Sequence, residues 1–123
     1  MREIFDHKSG LANDPSDALS VVAIDERGPG NANHEYRIGL ASDTPAMACI
    51  SFQKGPLQEN AFNGVSNESV LAVVIDRLKG FQAGPFACRE NAIALTKLQE
   101  AVHWLHTRTR DRQFRGVEGK TAA

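Results

Sequence analysis

In the second half of the chain apolar side chains recur at intervals of three and four, at Val70/Leu71, Val74, Leu78 and Phe81 and again at Leu95, Leu98, Val102 and Leu105. That spacing marks helices with one buried stripe. Between the two sets stands Ala83-Gly84-Pro85, a chain reversal in which glycine accepts φ > 0 and proline presets φ for the first turn of a new helix. The pattern predicts an αα-hairpin over residues 63–119. Its first helix should run from Asn67 to Phe81 and its second from near Pro85 past Arg110. Ser66 is placed to cap the first helix, Glu68 complements its dipole, and Gly116 and Gly119 in RGVEG stop the second.

The first half alternates with period two instead. LSVVAID (Leu19–Asp25), HEYRIGLA (His34–Ala41) and MACISFQ (Met47–Gln53) read as strands separated by the turn formers ERGPGNAN and Ser42-Asp43-Thr44-Pro45. In the second of them His34, Tyr36, Ile38 and Leu40 share a face opposite Glu35, Arg37 and Gly39. Residues 1–16 show no periodicity and read as a loose lead-in, and residues 54–63 as a connector. The expected fold is α+β, a single domain with an N-terminal antiparallel β-core (residues 1–62) of at least three strands and a C-terminal two-helix hairpin (residues 63–119).

Composition narrows the function classes. The 123 residues carry a formal charge of −1, which argues against bulk attraction to a nucleic-acid polymer. Neither an apolar leader nor a run of membrane-spanning length occurs, so a soluble intracellular protein is expected. Cys49 and Cys88 form no CxxC pair and lie at no metal-ligand spacing, so they are expected to be free, buried thiols. The histidines His7, His34, His103 and His106 are scattered and read as surface or interface residues. Asp76, Glu90, Glu100 and Asp111 read as solvated helix positions. With no GxSxG, P-loop or HExxH motif, the sequence gives little support to catalysis, a metal or a cofactor.

Two stretches are suited to anions. GPGNAN (Gly28–Asn33), preceded by Arg27, reads first as a hairpin loop and second as a backbone cradle for phosphate. At the end of the second helix Arg108, Arg112 and Arg115 share a side, with Trp104 one turn earlier. They are either a solvated helix end complementing the dipole or a site for phosphate and a base.

The segments NGVSNESVLAVVIDRLKGFQ, GPFACRENAIALTKLQEAVHWL and RTRDRQFRGVEG closely resemble the helical-hairpin domain shared by phage anti-Thoeris and anti-CBASS signal-sponge proteins. The strand-rich first half is similar to the anti-Thoeris branch, whereas the anti-CBASS branch is helical and shorter. The resemblance implies a non-enzymatic protein of the infected host's cytoplasm that sequesters cyclic nucleotide signals. These are notably glycocyclic ADP-ribose and, in some relatives, cyclic di- or trinucleotides. It implies that Phe81 stacks an adenine, Asn91 hydrogen-bonds the ligand and Arg108 holds phosphate, with Arg27 the counterpart of a further arginine from the β-core.

Asn91 and Arg108 are seventeen positions apart, about 25 Å along one helix at roughly 1.5 Å per residue. One small ligand cannot be clasped by both within a protomer. A two-fold dimer in which the tip of one hairpin meets the base of another is therefore expected, with a hexamer as the alternative assembly. Three other functions stay open at this point: an enzyme degrading the same signals, a nucleic-acid-binding module using the arginine-rich helix end, and a structural oligomerisation protein.

Overall fold

A computed structural model describes residues 1–40 and 45–116. The chain divides into two compact units, one formed by Met1–Gly55 with Phe62–Gly64, the other by Pro56–Ala61 and the chain from Val65 onwards. The turn expected at Ser42-Asp43-Thr44 and the stop expected at Gly119 lie outside the described residues.

The first unit is a four-stranded antiparallel meander, β1 (Arg2–Ile4), β2 (Leu19–Ala23), β3 (Glu35–Leu40) and β4 (Ala48–Ser51), paired in chain order. The register aligns Ile4, Val21, Ile38 and Ala48 across the sheet, and next to them Ala23, Tyr36 and Ile50. Side chains alternate between faces, so Glu3, Val22, Arg37 and Cys49 line the opposite, more polar side. This places Cys49 in solvent, and Cys88 is exposed as well. Both thiols are free, as expected, but neither is buried, which corrects that part of the expectation. Tyr36 meets Phe52 edge-to-face with centroids 5.7 Å apart.

β1 corrects the reading of residues 1–16 as a loose lead-in. Three residues are too few to show a period, and the strand forms because β2 accepts it and because Arg2 donates to Asn33 Oδ1 at 2.8 Å. The segment after it is tied locally: Asp17 accepts from the Ser9 and Gly10 N–H groups, and His7 Nε2 bonds the Leu19 carbonyl at 2.7 Å.

The second unit contains α1 (Asn67–Gln82) and α2 (Arg89–Phe114), packed as a hairpin. Ser66 caps α1 as expected: its hydroxyl accepts from Ser69 N–H, and Ser69 Oγ accepts in return from Ser66 N–H, both at 3.1 Å. Leu71, Ile75 and Leu78 are half-buried, whereas Val74, assigned to the stripe by spacing, is 42% exposed. α2 begins at Arg89 rather than near Pro85. Gln82 holds the intervening turn by accepting from Cys88 N–H and donating to the Cys88 carbonyl, and Cys88 Sγ then accepts from Asn91 N–H. Pro85 thus sits in the turn. At the other end Gly116, at φ 71°, follows the last helical residues and donates to the Gln113 carbonyl.

Candidate functional site

The hairpin tip is built by the two helix ends and the short turn between them. Phe81 lies in the last turn of α1, half-buried. The Phe86 ring stands edge-on to it at 6.4 Å, and the Arg77 guanidinium lies over the Phe81 ring, 5.0 Å from its centroid. Asn91 sits half-buried in the first turn of α2, at the same end of the hairpin, its backbone N–H taken by the Cys88 cap. An aromatic platform, a cation and a carboxamide therefore border one six-residue turn. Such groups suit a purine and its polar edge.

Arg108 is exposed on α2, which continues without a break from Asn91 to Arg108. Their separation of about 25 Å along the axis consequently holds in the folded chain. Arg112 is 7% exposed, unlike Arg108, and Arg115 pairs with Asp111 at 3.2 Å. The three arginines thus do not form one solvated row. Trp104 packs edge-on to His103 at 5.9 Å; among the described residues the cation–aromatic contacts are Lys8 on Phe5 and Arg77 on Phe81. The structure brings Phe81 and Asn91 to the same turn and leaves Arg108 far along the helix.

Arg27 belongs to the sheet unit, in the loop joining β2 to β3. Its guanidinium donates to the Asn31 carbonyl at 3.0 Å, and the loop closes on itself through Gly28 N–H to Ala32 and Asn31 N–H to Gly28. Those two N–H groups are already engaged, so the loop reads as a tight turn presenting Arg27 more than as an open phosphate cradle. Asp25 anchors it. Its carboxylate accepts from His34 N–H at 2.9 Å, Glu35 N–H at 3.2 Å and Asn33 Nδ2 at 3.3 Å. Partial burial pushes this carboxyl up, but the hydrogen bonds outweigh it and the net shift is downward. His34, read as a surface or interface residue, is 8% exposed within the sheet unit's own chain, and its Nε2 donates to the Pro29 carbonyl.

Residues 47–110 match the family model of the Acb2/Tad1 hairpin domain. The chain belongs to that family. A curated relative, Thoeris anti-defense 1 of Bacillus phage SBSphiJ7, is 46% identical over 90 residues, 73% of this chain. The aligned stretch spans 63% of that protein's length. Phe81, Asn91 and Arg108 all lie inside the hairpin-domain match, and Arg27 and Arg112 lie outside it.

Parts of the motifs carry structure instead of ligand chemistry. Asn63 accepts from Lys54 N–H at 2.7 Å and donates to the Lys54 carbonyl at 3.0 Å, closing the connector. Gly64 packs so tightly that a Cβ would collide with the Phe52 carbonyl and the Ser51 oxygen. Gln82 and Cys88 shape the tip as described above. Arg77 was not among the residues singled out from sequence, although its place one turn before Phe81 was a signal available there.

Proposed function

We propose that this protein is a phage anti-Thoeris sponge. It binds cyclic nucleotide immune signals, glycocyclic ADP-ribose first among them and cyclic di- and trinucleotides as further ligands, and withholds them from Thoeris and CBASS effectors in the cytoplasm of the infected host. The observation that carries this reading is the 46% identity to Thoeris anti-defense 1. The tip geometry supports it: a half-buried aromatic ring under a guanidinium, with Asn91 in the first turn of the helix that follows the same short turn, suits a base flanked by phosphate.

Sequestration is favoured over cleavage by the chemistry of the candidate residues. Phenylalanine, asparagine and arginine stack and hydrogen-bond, but at neutral pH they supply neither a nucleophile nor a general base. Heating a complex with glycocyclic ADP-ribose should release the intact ligand, and altered ligand would establish an enzyme instead.

In the proposed assembly Phe81 and Asn91 of one protomer meet Arg108 of a second copy, giving a two-fold dimer with equivalent pockets. Arg108→Ala should weaken binding roughly tenfold or more, as expected for loss of a charge-assisted phosphate contact, with no change in melting temperature. Calorimetry showing unchanged affinity would remove Arg108 from the site.

A further inference from the structure

The geometry points to Arg77 as a ligand-binding residue that covers the Phe81 ring until a base takes its place and then turns to the ligand's phosphate. This rests on the reading of Phe81 as the base platform. Three observations support it. The guanidinium lies over the ring at 5.0 Å, so it occupies the surface on which a base would stack. Arg77 is itself exposed, and among the described residues no carboxylate pairs with it, so nothing else fixes its position. Phe86, 72% exposed, stands edge-on to Phe81 and extends the aromatic surface.

The exchange is favourable by comparison of like with like. An exposed cation on a phenylalanine ring is a weak contact, whereas a nucleobase stacking on an aromatic side chain gains more. Displacement therefore costs little. Once freed, the planar guanidinium remains on the turn preceding Phe81, within reach of a phosphate joined to the stacked base, and can bind two of its oxygens at once. The ligand class is a purine nucleotide that presents base and phosphate together. Covering the ring also shields apolar surface while no ligand is bound.

Calorimetry with glycocyclic ADP-ribose on wild type, Arg77→Ala, Arg77→Lys and Phe81→Ala tests this, with melting temperatures recorded for each. Arg77→Ala should lose roughly tenfold or more in affinity, and its binding should respond less to added sodium chloride than that of wild type. Arg77→Lys should fall between, because the charge is kept and the paired donors are lost. If Phe81→Ala weakens binding while Arg77→Ala binds as well as wild type or better, Arg77 is a bystander or an obstacle and the inference is overturned. If Phe81→Ala binds as well as wild type, Phe81 is not the base platform and this inference falls while the sponge reading stands; if wild type itself does not bind, the sponge reading fails and this inference fails with it.

Discussion

Asp25 shows how one side chain sets the shape of a loop. Three donors converge on its carboxylate, two of them backbone N–H groups at the start of β3. Its folded-state pKa is lowered from the ordinary 3.8. The unfolded chain therefore takes up a proton first, and the stabilisation from this carboxylate is complete above the ordinary value and is lost as pH falls through the lower folded one. Glu35, lowered by the Lys54 ammonium at 2.8 Å and then the Ser51 hydroxyl, and Asp14, lowered chiefly by Ser16, act with the same sign. Melting temperature should decline on acidification below about pH 4. Asp25→Asn should melt lower at neutral pH and show a shallower acid decline. An unchanged acid profile in that variant would remove Asp25 as a cause. Gly64 makes a second prediction at this scale. Its surroundings are backbone atoms of Ser51 and Phe52, which cannot swing aside, so Gly64→Ala should destabilise by about 1–3 kcal/mol in denaturant melts. A neutral result would mean that the connector shifts freely.

At the scale of elements, the helix starts depend on caps more than on the stripes they precede. Ser66→Ala removes the acceptor for Ser69 N–H and should cost about 1 kcal/mol, read from chemical denaturation. A loss far below that would mean that Ser69 alone caps the helix. Ser66 was legible because a hydroxyl before a helical run is a strong local signal. The start of α2 was not, since a proline at a helix N-terminus and a proline in a turn look alike until the Gln82 clamp on Cys88 decides between them. Period two located β2, β3 and β4 but could not find β1, whose three residues depend on partners seventeen to twenty-one positions away. Face assignment was sound for Tyr36 and Ile38, which share their rows with Val21 and Ala23. It would also have predicted an exposed Cys49, had its pairing with Arg37 been known. Arg112 differs from Arg108 in burial despite helical spacing, because spacing gives a direction around the helix but not what lies there.

For the whole molecule, apolar burial is thin. Among the described residues Ala23 is the one apolar residue sealed from solvent, and no large side chain is fully buried. On the hairpin Val73, Phe86 and Trp104 are 69%, 72% and 68% exposed. A 13.4 kDa chain with such a surface gains from a second copy, and the proposed dimer supplies one. Its stability should then rise with protein concentration. The decisive form of the prediction concerns the pocket. If Phe81 and Arg108 of one site come from different protomers, a heterodimer of Phe81→Ala and Arg108→Ala has one site carrying both substitutions and one carrying neither. Mixing equal amounts and allowing subunits to exchange should make half of the dimers mixed, restoring tight binding to about a quarter of all sites. Neither variant alone should show that tight fraction. Were each pocket complete within a single protomer, every site in the mixture would keep one substitution and titration would detect no tight sites, which would end the shared-pocket arrangement.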